Sequence, residues 1–585
     1  MAVYFKMPRR RIKSKTSIRI PLIWIILLAC IVVSVFLVIQ WKSFFASHSM
    51  LVPGEGGVFT ESIIGEIENL NPLASEISSF DQDLHELLFS GLLRYNPVTA
   101  KIEDSLAEFR IDEDGDVYEL ILKESAKFSD GRKVVMDDIL FTFEEVIQNP
   151  HFSNNVLGKA FEYVTIEVVD ERTVRFVLPE ENVFFLSLLT TPILPKDYFR
   201  DALLDEVTDS GHPYNRKPIG TGPYRINNIV AGGEGKYRIF LERNPYFHGE
   251  RPLIPELVFY LYPSLDALKA EPKENTILSK IPENHKQEIL DVLDTTYKRK
   301  LYLLPRYIGL FFNLDRPYTK YPSMRKALSY AIDKEKLVSK EPGWERIDSP
   351  FFFEGIETSF QVKDFVEGRN LLRDGGFPYN KEKGLRTKER GGDVVVLRMI
   401  TTTAPASYSR MAQNMVNTIE EELQLEVDLH ILEMDEFQAA LESRDYDLVL
   451  YGNDFSENFD SLSAWHSSQS GKLNLSNLTR EDVDFLIDEI RFSGAQSDFF
   501  LLSQKLDELV PAVILATPQY SLLYDEQLKG LQDEFGKIRK YSDRFSNINS
   551  WYFFEKEDWD IRQGRLKAFV KWIFMKQPNE EAITE

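Results

Sequence analysis

Residues 109–131 read FRIDEDGDVYELILKESAKFSDG. The runs 109–111 and 117–122 are rich in β-forming residues and flank the polar stretch 112–116, which predicts a hairpin. Asp130-Gly131 then makes a turn in which glycine takes positive φ. The pattern recurs outward from here. Residues 164–169 and 173–178 flank Asp170-Glu171-Arg172, and 224–229 and 237–242 flank the glycine-rich 232–235. Helices interleave with these pairs. Ser323 is placed to cap one whose apolar face is Met324, Leu328, Ala331 and Ile332. Residues 408–423 form another that feeds a strand over 425–432, and 480–491 form a third. The chain is therefore mixed α/β, with no short-period repeat.

Composition narrows the class. Of 585 residues 43% are apolar, ample to bury a core without disulfides or metals. With 28% charged and 12% aromatic residues, the bulk is neither disordered, collagenous nor coiled coil. A single cysteine excludes an intramolecular disulfide and a cysteine-based zinc cluster. Net charge is −23, unevenly spread: residues 1–19 hold seven bases and no acid, leaving 62 bases against 92 acids. So acidic a body repels a phosphate backbone, which argues against a nucleic-acid partner.

The basic cluster has a different reading. Residues 20–40, IPLIWIILLACIVVSVFLVIQ, carry no charge over 21 positions. As a helix this stretch is about 30 Å long, the depth of a bilayer's hydrocarbon core. Trp24 and Trp41 stand near its ends, where aromatic residues favour the interface. The positive-inside rule puts the tail in the cytoplasm and everything after Trp41 outside. A cleaved signal has a shorter apolar core ending at small residues. A lipoprotein signal would use Leu27-Leu28-Ala29-Cys30, but the apolar run continues well past Cys30. A retained single-pass anchor is the expectation. No second run approaches 18 residues; Phe184-Phe185-Leu186 and Phe351-Phe352-Phe353 read as core strands or loops.

Reactive constellations are missing from the sequence. Residues 232–237 look like a phosphate loop, but Tyr237 stands where Ser or Thr would hold magnesium. There is no Gly-x-Ser-x-Gly elbow and no His-Glu-x-x-His, and the eight histidines form no i, i+4 pair. A hydrolase built on dispersed carboxylates is the remaining enzymatic reading, and it would need two acids about 5–10 Å apart in a cleft. A large exported chain without reactive groups suggests capture rather than conversion, with no cofactor and no catalytic residue.

Several segments, in order, resemble bacterial extracellular solute-binding proteins of family 5, the oligopeptide-, dipeptide- and nickel-binding receptors of ABC importers. They are Asn69-Leu70-Asn71-Pro72-Leu73, Phe89-Ser90-Gly91-Leu92-Leu93-Arg94-Tyr95, and Ser105-Leu106-Ala107-Glu108. Residues 122–131 with Asp137-Asp138-Ile139 follow, then Pro218-Ile219-Gly220-Thr221-Gly222-Pro223-Tyr224 and Arg243-Asn244-Pro245-Tyr246-Phe247. Leu310-Phe311-Phe312-Asn313 and residues 324–333 complete the series, which spans about residues 57–555. Asp130-Gly131, Gly220 and Gly222 have scaffold readings, the latter two letting the chain bend tightly.

The resemblance implies a two-lobe periplasmic-binding-protein fold of type II, with ligand held between lobes joined by two crossing strands. It maps here as a basic cytoplasmic tail (1–19), a transmembrane anchor (20–41), a linker (42–56), a first lobe (57–303, completed by 516–556), a second lobe (304–515) and a C-terminal helical extension (557–585). Peptide binders of the family pair an Asp with the ligand's α-ammonium, and residues 450–458 match that stretch. Asp454 falls on the ammonium position and Glu457 on the second acid, with Tyr451, Gly452 and Asn453 beside them. Asp454 as a loop residue satisfying its own backbone is the other reading.

The family's Trp is missing from this stretch, and Asn458 replaces its Pro. Dipeptide receptors place an Arg where this chain has Thr401-Thr402-Thr403, so longer peptides are favoured. The loop 75–80, with Ser78, Ser79 and Phe80, is expected at the cleft mouth. Thr402 and Trp465 are further candidates, Trp465 either touching ligand or packing. The implied partners are a peptide, the permease subunits and the membrane, for a monomeric receptor. Nickel chelates, oligosaccharides or signalling peptides are the alternative ligands. In the extension, Trp559, Leu566, Phe569, Val570 and Ile573 lie amid basic residues, an amphipathic pattern that fits the membrane surface or packing on the first lobe.

Overall fold

The computed structural model describes residues 22–559 except 75–77, 201, 204–205, 272–275, 281–289, 292–296, 342, 357–361, 455–463 and 532–537. Contacts divide the chain into two units, one of residues up to Gly54 with those from Phe554 on, the other Glu55–Phe553.

In the first unit the helix Leu22–His48 runs seven residues past the expected end at 41. Residues 42–48 contain neither Gly nor Pro, so nothing in the sequence stops it. Its Trp24–Lys42 segment has a mean hydropathy of 2.6 and none of it is buried. Among the described residues it is the one helix long and apolar enough to cross a membrane. The strand Ser49–Pro53 follows and pairs antiparallel with Glu555–Trp559, from Ser49 opposite Trp559 to Pro53 opposite Glu555. Residues 42–56 are thus largely helix and strand rather than a linker, and 557–559 are strand rather than the start of a helical extension. The rest of the extension lies outside the described residues.

The second unit is built on a twelve-stranded sheet. Its order runs Glu426–Leu432, Val396–Thr402, Leu448–Asp454, Arg306–Phe312, Ala512–Asp525, Ile277–Leu278, Val58–Ile64, Glu256–Tyr262, Lys236–Arg243, Tyr224–Gly233. Tyr297–Leu303 and Trp344–Arg346 also pair along Ala512–Asp525. The 14-residue strand Ala512–Asp525 organises the unit. Its first part lies antiparallel to Arg306–Phe312 and its second part antiparallel to Tyr297–Leu303. Tyr297–Leu303 and Arg306–Phe312 are continuous but for Leu304-Pro305, so two stretches of chain cross together.

Apolar cores form on either side of this crossing. One draws on residues from Phe59 to Leu304 and from Leu522 to Trp551. Two more draw on residues from Tyr307 to Ala516 and cover opposite faces of the sheet there: the inner strands Arg306–Phe312 and Leu448–Asp454 bury consecutive residues such as Leu448, Val449 and Leu450. A four-stranded antiparallel sheet, ordered Ala107–Ile111, Val117–Leu122, Thr173–Val177, Thr165–Val168, packs into the first core.

The hairpins expected at 109–122, 164–178 and 224–242 form, the last with two register shifts, at Lys236/Tyr237 and Phe240/Leu241. Gly131 takes φ +94° in its turn. Gly220 and Gly222 serve a different purpose from tight bending. A Cβ at Gly220 would lie 1.9 Å from the Leu88 carbonyl oxygen, and one at Gly222 2.6 Å from that of Leu87, so both are glycine because two backbones touch. The helix at 322–331 begins with Pro322 after Tyr321, with no side-chain cap; the fixed φ of proline at the first helical position replaces the hydroxyl expected from Ser323.

Candidate ligand-binding site

The strand Leu448–Asp454 carries four of the candidate residues to the crossing. It pairs antiparallel with Arg306–Phe312, setting Tyr451 opposite Gly309, Gly452 opposite Ile308, Asn453 opposite Tyr307 and Asp454 opposite Arg306. The half-buried Tyr451 ring packs 4.8 Å from Phe437 and 6.2 Å from Tyr408. A Cβ on Gly452 would stand 2.4 Å from the Tyr408 hydroxyl oxygen, so glycine there lets that hydroxyl lie over the strand. Asn453 Nδ2 donates to the Tyr307 hydroxyl at 3.3 Å. Burial drives the Tyr307 phenol well above its ordinary value, keeping it neutral. Glu457 lies outside the described residues.

The other candidates sit elsewhere. Ser78 caps the helix Ser79–Leu88: its hydroxyl accepts from the Asp81 amide at 3.0 Å, and Asp81 accepts from the Ser78 amide at 2.9 Å. Ser79 is exposed, and Phe80 is in the first core, its ring 5.6 Å from Phe259. Thr402 is fully buried, and its carbonyl accepts from the Ser409 hydroxyl. Trp465 is 2% exposed and packs 6.0 Å from Phe311, deep in a core behind the crossing strands.

At the crossing itself stands a cluster that sequence reasoning missed. Arg544 reaches Asp83 at 2.5 and 2.9 Å and both Glu61 oxygens at 3.2 Å, all three side chains fully buried. Lys280 joins them, donating to Asp83 and to the Ser79 carbonyl. Burial works against charge on both Asp83 and Arg544, and their mutual attraction outweighs it. Asp83 is held below the usual carboxylate range and Arg544 above the usual guanidinium range.

Aromatic rings continue the cluster. The Lys280 ammonium lies 5.5 Å from the Tyr541 ring, and Tyr541 packs 4.6 Å from Tyr520 and 5.7 Å from Tyr302. Arg306 lies over Tyr520 and donates to its hydroxyl at 2.8 Å. A chain of cations and rings thus runs from Ser79 to Arg306, the ladder partner of Asp454. Asp83 and Arg544 are 461 residues apart in sequence, so no local spacing signals the pair.

Between the cores of the second unit the described residues line a crevice that includes two chambers, which share Phe184 and Ser187 in their walls. The larger, about 820 Å³, is lined by charged groups including Lys159, Glu181, Lys472, Asp488 and Arg491. The smaller, about 430 Å³, is mostly apolar. Across the crevice the Val183 amide donates to the Arg491 carbonyl at 3.0 Å. None of the candidate residues whose side chains are described lines either chamber.

Cores at the two ends of a pair of shared strands, with a crevice between, define a two-lobe periplasmic-binding-protein fold of type II. The chain belongs to the bacterial extracellular solute-binding proteins, family 5 Middle, which matches residues 101–472. It is similar to the oligopeptide-binding protein AppA of Bacillus subtilis, 24% identical over 540 residues covering 87% of this chain and 93% of AppA. The solved structure of AppA in complex with a nonapeptide superposes with a TM-score of 0.65 at 22% identity, covering 86% of this chain and all of AppA. NikZ from Campylobacter jejuni, solved with Ni(L-His), also has a TM-score of 0.65 at 22% identity, covering 85% and 99% of the two chains.

Proposed function

We propose that the chain is the membrane-anchored, extracytoplasmic receptor of an ABC importer, capturing peptides and handing them to a permease. Its lobes are residues 57–303 with 516–556 and residues 304–515, and ligand enters between them. The observation that carries the reading is the register that sets Asp454 opposite Arg306, two residues past Leu304 at the crossing. An acidic position there meets the demand of a peptide's α-ammonium, and charge-assisted hydrogen bonds are among the strong ones. The likeness to AppA, solved with a nonapeptide, supports an oligopeptide. The absence of an Arg at Thr401–Thr403 supports it too. The exposed apolar Trp24–Lys42 helix behind a basic tail supports anchoring with the amino terminus in the cytoplasm.

Calorimetry with Asp454→Asn tests the site. Free-amine peptides lose affinity by about tenfold or more, about 1.4 kcal/mol, while N-acetylated peptides change little. Equal loss for both removes the ammonium role. The likeness to NikZ, solved with a nickel chelate, supports a second reading in which the same lobes hold another solute. Native mass spectrometry of freshly purified protein separates the two by the mass retained.

A further inference from the structure

The smaller chamber takes its walls from both sides of the crossing. Tyr95, Ile102 and Phe184 come from the first side, and Phe351, Phe352 and Phe353 from the second. Phe184, Phe352 and Phe353 are half-buried, so their rings offer faces and edges to the space between them. The Arg539 guanidinium on the wall already stacks 3.4 Å above the Tyr95 ring and lies 3.8 Å from Asp543. At about 430 Å³ the chamber falls within the size range of ligand pockets.

We propose that this chamber selects peptides carrying an aromatic side chain and takes that side chain in. The inference deepens the peptide-receptor reading and rests on it. Lys101, Glu354 and Arg539 also line the chamber, but most of its wall is apolar, so an aromatic side chain exchanges hydration for ring contacts of edge-to-face type. Because the walls belong to different lobes, the full set of contacts exists only when the lobes are together. An aromatic occupant therefore favours the closed arrangement that the Val183–Arg491 hydrogen bond also joins. The two Phe-rich runs of the sequence, 184–186 and 351–353, meet here although 164 residues separate them.

The test is calorimetry of the full chain in detergent with pentapeptides: all-alanine, and a set with Phe at each position in turn. At one position or more Phe binds at least about tenfold tighter than Ala. Ile102→Trp, which fills the chamber, brings the Phe-to-Ala ratio close to one, and Phe352→Ala, at a half-buried site, lowers it. Binding of the all-alanine peptide with no Phe preference at any position overturns the chamber assignment alone. A ratio unmoved by both variants overturns it as well. Failure of every peptide to bind overturns the receptor reading and this inference with it.

Discussion

Gly452 and Tyr408 share one small space: a Cβ on the first would lie 2.4 Å from the hydroxyl oxygen of the second. The tyrosine arm is flexible enough to swing away, so Gly452→Ala is expected to displace Tyr408 at a cost of about 1 kcal/mol in stability. Gly452 stands two residues before Asp454 on the same strand and Tyr408 packs on Tyr451, so peptide affinity is expected to fall by about tenfold. Tyr408→Phe removes the clashing oxygen. The double variant therefore recovers most of the affinity, a coupling that a double-mutant cycle by calorimetry measures directly. Additive losses would show that the two residues act independently.

Arg544 ties together three distant segments of the chain by pairing with the buried carboxylates of Glu61 and Asp83. Arg544→Met leaves Asp83 and Glu61 buried with only Lys280 to balance them, and destabilisation of about 3–5 kcal/mol is expected. Combining it with Asp83→Leu and Glu61→Gln restores part of that loss, because the uncompensated charges go too. Urea midpoints of the parent, the single variant and the combined variant give the comparison. A single Arg544→Met variant as stable as the parent would contradict this account of the cluster.

His85 makes stability depend on pH. Burial in the first core lowers its pKa to about 3, with the Lys540 charge adding to the effect, so the folded protein holds it neutral. The unfolded chain protonates it near the ordinary 6.5. The folded state therefore binds fewer protons between those values. Stability from this residue is complete above about pH 6.5 and is lost toward pH 3, at about 1.4 kcal/mol per pH unit. Thermal scans from pH 7 to pH 4 should show the decline, and His85→Gln should flatten it. An identical slope in the variant would assign the acid sensitivity elsewhere.

What the sequence discloses and what it hides follow from range. The hairpins around 112–116, 170–172 and 232–235 depend on neighbouring residues and are legible. The apolar helix is legible in its core but not in its end, because 42–48 neither break a helix nor continue the apolar run. The strand pair Ser49–Pro53 with Glu555–Trp559 joins segments about 500 residues apart and leaves no local signature. Asn69 and Asn71 mark a motif whose reason appears only in three dimensions: their amides donate to the carbonyls of Thr208 and Val207, pinning two distant segments. Of the candidate site residues, Tyr451, Gly452, Asn453 and Asp454 are sequence neighbours and lie on one strand. Ser78 is committed to a cap by Asp81, three residues on, whereas Phe80, Thr402 and Trp465 are buried in packing set by distant neighbours. The Arg544 cluster and the ring-walled chamber, each assembled from several segments, are invisible until the chain is folded.

The claim that the two lobes clasp a peptide is tested most directly by a distance across the crevice. Spin labels at Lys159→Cys and Lys472→Cys, both exposed and on the two sides of the larger chamber, report it in a Cys30→Ser background. Double electron–electron resonance of the full chain is predicted to show a broad or long distance without peptide and a single shorter one when peptide saturates. The same distance distribution with and without a peptide shown to be bound would contradict it.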